Sequence, residues 1–275
     1  MVSGNIFDLE HGSFVDGPGI RTTVFFKGCN LRCIWCHNPE SQKAESELLV
    51  YGDKCTGCGK CREICTNESC TLCGRCTIYC PTGARLLKGK SCAADEVLDE
   101  ILRDRPFYEN SGGGVTFSGG ECMLQIDFLT EMLQKCKENG IHTAVDTAGH
   151  VPFSYFEHIM PYTDLFLYDV KCFDPEMHTS YTGADNRLIL ENLGKVLQFG
   201  AKVWVRIPVI PGINDNVAEM EKIRAFLCAH GIPEKVDLLP YHAMGENKYR
   251  ALGVEPAVFS VPDEETMQVL RSVFM

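Results

Sequence analysis

Eleven of the 16 cysteines fall between Cys29 and Cys80, and their spacing constrains this 275-residue chain more than any other feature. Three are arranged as Cys29-x3-Cys33-x2-Cys36. Eight form two consecutive runs, Cys55-x2-Cys58-x2-Cys61-x3-Cys65 and Cys70-x2-Cys73-x2-Cys76-x3-Cys80, the second followed by Pro81. In a small secreted protein such density means disulfides. Here the start, Met1 to Asp8, has neither the basic nor the apolar segment of a secretory signal. Metal or redox chemistry in a cytoplasmic protein is therefore expected. No run approaches the ~18 apolar residues of a membrane helix. A formal charge of −11 argues against broad nucleic-acid binding. Neither a membrane nor a nucleic acid is expected as a partner.

Each four-cysteine run has the spacing with which bacterial ferredoxins bind [4Fe–4S] clusters. The usual crossover groups Cys55, Cys58, Cys61 and Cys80 on one cluster, and Cys65, Cys70, Cys73 and Cys76 on the other. Only Thr66 to Ser69 separate the runs, and Cys65 has no proline after it, which leaves the ligand pairing open. The stretch lacks any long apolar run. Residues 50–92 are expected to form a small ferredoxin-like insert whose core is inorganic, serving as an electron relay or a docking surface. The first cluster of cysteines differs, since three thiolates hold three irons of a cubane and leave the fourth without a protein ligand. The alternative is a zinc knuckle with His37 as fourth ligand.

Outside the insert, residues 1–49 and 93–275 alternate strand and helix signals. Thr22–Phe26, Val115–Phe117, His142–Val145, Leu165–Tyr168, Val203–Ile207 and Val236–Leu239 read as strands. Val97–Leu102, Ile126–Cys136, Ile189–Leu197 and Val217–Leu227 carry helical spacing. About six βα units fit, fewer than a full eight-fold barrel needs. An incomplete α/β barrel and an open doubly wound sheet both satisfy the pattern. Polar residues recur just after successive strands: Ser118-Gly119-Gly120-Glu121, Asp146-Thr147, Asp169-Val170-Lys171, Arg206 and Tyr241-His242. That edge of a parallel sheet is where sites are built.

The Cys29–Cys36 motif, with Asp16-Gly17-Pro18-Gly19-Ile20-Arg21 before it and His37-Asn38-Pro39-Glu40 after it, resembles the opening of the glycyl radical enzyme activating enzymes of the radical S-adenosylmethionine (SAM) superfamily. Pyruvate formate-lyase activating enzyme is one member. Matches continue at Arg105–Tyr108, Gly119–Glu121, Asp169–Lys171, Ile210–Asp215 and Leu239–His242, spanning residues 4–253. The resemblance implies a partial (β/α)6 barrel and three [4Fe–4S] clusters, one catalytic and two auxiliary. It implies that Cys29, Cys33 and Cys36 hold the catalytic cluster, whose open iron is chelated by SAM. Gly119, Gly120 and Glu121 would receive the methionine amino group. Asp169 and Lys171, flanking Val170, would contact the ribose and carboxylate. Arg206 and His242 would line the SAM pocket, and Trp35 and His37 would carry the adenine. A monovalent cation near Asp146 and Asp169, and Asp16 orienting the partner's glycine loop, are also implied.

The implied reaction is reductive cleavage of SAM to methionine and a 5′-deoxyadenosyl radical, which takes a hydrogen atom from a glycine of a partner glycyl radical enzyme. A flavodoxin or ferredoxin would donate the electron. Two other readings remain open at this level: a radical SAM enzyme acting on a small molecule or another peptide side chain, and a ferredoxin-like electron carrier. Of the remaining cysteines, Cys136 and Cys228 fit apolar helix positions and are expected to be buried. Cys122 and Cys172 are placed by sequence near the SAM pocket, and Cys92 has no assigned role.

Overall fold

The computed structural model describes residues 2–65 and 69–275; most of the connection between the two cysteine runs lies outside them. Ten strands form two sheets: β1 (Ser3–Ser13), β2 (Arg21–Phe26), β3 (Glu47–Val50), β4 (Arg85–Lys88), β5 (Lys90–Ala93), β6 (Gly114–Gly119), β7 (His142–Thr147), β8 (Leu165–Asp169), β9 (Val203–Val209) and β10 (Lys235–Pro240). The larger sheet has the order β10-β9-β8-β7-β6-β2-β1-β5. From β2 through β6 to β10 every pairing is parallel. This is the expected six-stranded parallel array, with helices connecting successive strands. β1 and β5 extend it antiparallel on the β2 side.

The parallel strands are apolar because both faces are covered. Gly114–Ser118 is buried throughout, as are Leu165–Tyr168. The helix Ile126–Glu138 turns Phe128, Leu129, Met132, Leu133 and Cys136 inward. Phe128 packs 5.6 Å from Phe26, which meets Phe117 edge-on at 6.1 Å. Phe128 also lies across β1. A Cβ on Gly4 would sit 2.1 Å from its ring, so the strand passes there only as glycine. The helix Pro175–Thr182 starts where the Asp174 carboxylate accepts from the N–H groups of Glu176 and Met177, and stops at Gly183 in the left-handed region.

The segment expected as an insert is framed by β3 and β4, which pair antiparallel as a separate two-stranded sheet. Two short helices, Lys60–Ile64 and Arg75–Ile78, lie between them. Each begins after a left-handed glycine, Gly59 or Gly74, two residues before the third cysteine of its run (Cys61, Cys76). The chain then returns to the main sheet as β5, which pairs with β1. Among the described residues, no helix is long and apolar enough to cross a membrane.

Candidate active site

The C-terminal ends of all six parallel strands converge on one cavity of about 450 Å³. After β2 the chain turns at Gly28 and presents Cys29, Cys33, Trp35, Cys36 and His37 to it. β6 contributes Ser118, Gly119 and Gly120; β7 ends in Asp146 and Thr147; β8 brings Asp169, with Lys171 following. Arg206 comes from β9, and Tyr241 and His242 follow β10. Asp16 and Val15 reach the same wall from the turn between β1 and β2.

The glycines explain how the cysteine loop is fixed. Gly119 has φ +116° and Gly120 faces Gly28 so closely that a Cβ would lie 2.2 Å from its carbonyl oxygen. The Gly120 N–H donates to the Phe26 carbonyl at 2.9 Å and the Glu121 N–H to the Gly28 carbonyl at 2.8 Å. The close approach that two glycines allow is thus to the chain's own backbone. Two of the expected site residues do not face the cavity. The Glu121 side chain is buried behind it, accepting from the Thr147 hydroxyl at 2.9 Å and the Ala148 N–H at 3.1 Å. Burial pushes its carboxyl up to about 7. Val170 is buried as well, its period-two alternation placing it opposite Asp169 and Lys171.

Burial pushes the Cys29 and Cys33 thiols up, to about 11 and about 12, and that of Cys36 in the same direction, while nearby Lys171 opposes this for all three. The three thiols also act on one another electrostatically. Among the described residues, no three His, Cys, Asp or Glu side chains converge as ligands of a single ion. Each thiolate of a cubane binds a different iron, so three thiols lining one cavity fit a [4Fe–4S] cluster with an open iron.

Around them lies a buried charge network. Lys171 Nζ is 2.8 Å from Asp169 Oδ2. The Arg206 guanidinium stands 3.9 Å from Asp16, 3.5 Å from Asp146 and 3.5 Å from Asp169. Yet Arg206 Nε and Nη1 and Asp169 Oδ1 are buried without a hydrogen-bond partner. Buried polar atoms are ordinarily bonded, so a cavity lined by such atoms suits a polar, zwitterionic ligand. Burial pushes Asp146 up to about 6 despite Arg206, with Ser118 donating to it at 2.6 Å. Asp169 is held low, because Lys171 and Arg206 outweigh the burial that opposes them. Asp16 accepts from the hydroxyls of Ser13 at 2.7 Å and Thr23 at 2.8 Å. On the far side the His37 ring stacks on His242 at 3.8 Å, and burial lowers its pKa to about 4, keeping it neutral. This makes an aromatic shelf beside Cys36.

In the insert, Cys65, Cys70, Cys73 and Cys76 line one small cavity together with Leu48, Leu72 and Leu87. That is one of the two sets given by the crossover. Cys55, Cys58, Cys65, Cys70 and Cys73 are exposed, while Cys61, Cys76 and Cys80 are half-buried. Elsewhere Cys228 is exposed, not buried as its helical position suggested, whereas Cys92, Cys122, Cys136 and Cys172 are buried. Cys122 donates to the carbonyls of Phe117 and Asp146 behind the cavity wall, without lining it. One residue had no role in the sequence reading. Arg21 is fully buried, donating from Nε to the Thr116 hydroxyl at 2.6 Å and from Nη1 to the Pro18 carbonyl at 3.1 Å, which anchors the turn carrying Asp16.

A sequence profile of the radical SAM superfamily matches residues 23–227. The trans-4-hydroxy-L-proline dehydratase activating enzyme of Clostridioides difficile is 40% identical, over 98% of this chain and 95% of its own length. The pyruvate formate-lyase-activating enzyme of Clostridium pasteurianum is 37% identical, over 97% and 93%. A solved domain of pyruvate-formate lyase-activating enzyme from Bacteroides vulgatus ATCC 8482 superposes with a TM-score of 0.51 and 32% identity, covering 58% of this chain and 92% of that one. With its parallel strands ending on a three-cysteine cavity and its kinship extending over nearly the whole chain, this protein belongs to the glycyl radical enzyme activating enzymes of the radical SAM superfamily.

Proposed function

We propose that Cys29, Cys33 and Cys36 hold the superfamily's [4Fe–4S] cluster and that the adjoining cavity binds SAM. When bound, the cluster supplies one electron to the SAM sulfonium, giving methionine and a 5′-deoxyadenosyl radical that takes a hydrogen atom from a glycine of a partner enzyme. The protein's own part is positioning and exclusion of water. The Gly119-Gly120 backbone fixes the cysteine loop, and Glu121 locks the end of β7 from behind. Arg206 and Lys171 meet the ligand's carboxylate, and Asp169 its ribose. Trp35, His37 and His242 offer an aromatic face for the adenine. Asp16, Asp146 and Asp169 set three negative charges against Arg206 and Lys171, which favours one monovalent cation beside Asp146 and Asp169. Val15, 83% exposed at the cavity rim next to Asp16, marks where a glycine loop would enter.

Residues 50–92 carry two auxiliary [4Fe–4S] clusters in this reading, supported by four cysteines around one cavity. A flavodoxin or ferredoxin supplies their electrons in the cytoplasm, where such thiols stay reduced. The observation that carries the reading is that the three thiols share a wall with the Asp16–Asp146–Asp169–Arg206–Lys171 network. Anaerobic iron analysis with 5′-deoxyadenosine detection tests it. Cys33→Ala is expected to lower iron from about twelve to about eight and abolish SAM cleavage. Cleavage retained in that variant refutes the assignment.

A further inference from the structure

Strands β8 and β9 run in parallel register as far as Asp169 opposite Arg206, and the Val170 N–H still donates to the Arg206 carbonyl at 2.9 Å. Two residues on, Pro208 has no N–H with which to continue the ladder. Beyond that point a side chain joins the two strands. The Asn214 amide nitrogen donates to the Lys171 carbonyl at 2.7 Å and to the Pro208 carbonyl at 2.6 Å, and its oxygen accepts from the Ile210 N–H at 2.7 Å. Asn214 is fully buried, and both hydrogens and the oxygen of its amide are engaged in this bridge. Two further buried side chains hold the residues that follow Lys171. Asn186 donates to the Cys172 and Phe173 carbonyls at 2.9 and 2.7 Å, and the Glu219 carboxylate accepts from the Phe173 and Asp174 N–H groups.

We propose that Asn214 is a positioning residue for SAM binding: it fixes Lys171 against Arg206, so that both cations meet the ligand's carboxylate. The inference rests on the reading that Lys171 and Arg206 bind that carboxylate. Both face the same cavity and both approach Asp169, Lys171 at 2.8 Å and Arg206 at 3.5 Å. A lysine ammonium rides on a flexible stem, so it converges with a second cation only if its backbone is held. Asparagine suits the bridge because one short amide supplies two donors and an acceptor. Aspartate offers no donor, and glutamine is longer by a methylene. Asn214 itself does not line the cavity, so it acts on the ligand only through the residues it holds.

The test is a double-mutant cycle, read by calorimetry of SAM binding to the anaerobically reconstituted full chain without reductant, so that no SAM is cleaved. Asn214→Ala is expected to weaken SAM binding about tenfold, the scale of one charge-assisted hydrogen bond, with iron content unchanged. In a Lys171→Met background the same substitution is expected to weaken binding less than about twofold, because the ammonium it positions is gone. Where Asn214→Ala does not fold, Asn214→Asp carries the cycle, since it keeps the acceptor for Ile210 and lacks both donors. An equal loss in the two backgrounds is what a merely structural asparagine gives, and it overturns the proposal, as does no loss in either. Unmodified affinity in Lys171→Met alone overturns the carboxylate reading of Lys171, and the proposal falls with it.

Discussion

Replacing Gly120 by alanine probes how firmly the barrel holds the catalytic loop. The backbone at Gly120 is of a kind any residue adopts, so the cost is one of contact alone. The new Cβ meets the Gly28 carbonyl oxygen at 2.2 Å and the Ser41 carbonyl oxygen at 2.9 Å, whereas real Cβ contacts below 3.0 Å are essentially absent. The Gly28 carbonyl must retreat by roughly 0.8 Å. That stretches the Glu121 N–H bond to Gly28, now 2.8 Å, beyond bonding range, and strains the Gly28 N–H bond to Ser41 at 2.7 Å. One lost and one weakened hydrogen bond cost about 1–2 kcal/mol. Overpacking adds about 1–3 kcal/mol. Cys29 follows Gly28 directly, so its sulfur moves by a similar amount. A misplacement of about 1 Å at a reacting centre costs about a hundredfold in rate. The assay is anaerobic iron content together with the rate of 5′-deoxyadenosine formation. Gly120→Ala is expected to slow cleavage about a hundredfold or to lose the first cluster's iron. Gly52→Ala, where a Cβ meets nothing within 4 Å, is the control. Cleavage at the unmodified rate in Gly120→Ala refutes the claim that this contact sets the loop.

Two more outcomes concern buried charge. The Glu121 carboxyl titrates near 7 when folded against 4.5 when free, so the folded state binds more protons across that window. By linkage, about 3 kcal/mol of stability is present below pH 4.5 and is lost as pH rises through 7. Glu121→Gln keeps the shape without ionising, so urea midpoints should show it gaining on the unmodified protein between pH 5 and pH 8; parallel profiles contradict this. Arg206→Gln leaves three aspartates without their shared cation. It is expected to destabilise the fold by about 3 kcal/mol and to weaken SAM binding, measured by calorimetry. Unchanged affinity removes Arg206 from the ligand's binding set.

The parallel half of the fold was readable because its inner strands are buried on both faces and spell β-branched, aromatic or aliphatic runs, as in Thr22–Phe26 and Leu165–Tyr168. β1 was not. Ser3–Ser13 contains Asp8, Glu10, His11 and Gly12, and it is a strand because β2 and β5 pair with it on both sides. The site residues at strand ends were legible through their order along the chain. The facing of each side chain was not. Glu121 looks like a ligand-binding carboxylate, but tertiary packing turns it to Thr147 and Ala148. The same limit applies to Cys228, one position beyond Leu227, the last buried residue of the helix Val217–His230. Helical spacing finds the stripe but not its edge. Arg21 was visible only as part of a motif, because its partners Thr116 and Val115 lie about 95 residues away.

The main sheet ends at β10 on one side and at β5 on the other, and these two strands do not pair. A ring closed on itself could admit only what threads its mouth, and a polypeptide would have to present a free end. With its circumference interrupted, this architecture can accept the middle of a chain laid in from the side and released again intact. Such access matches a reaction whose target is one backbone carbon inside another folded protein.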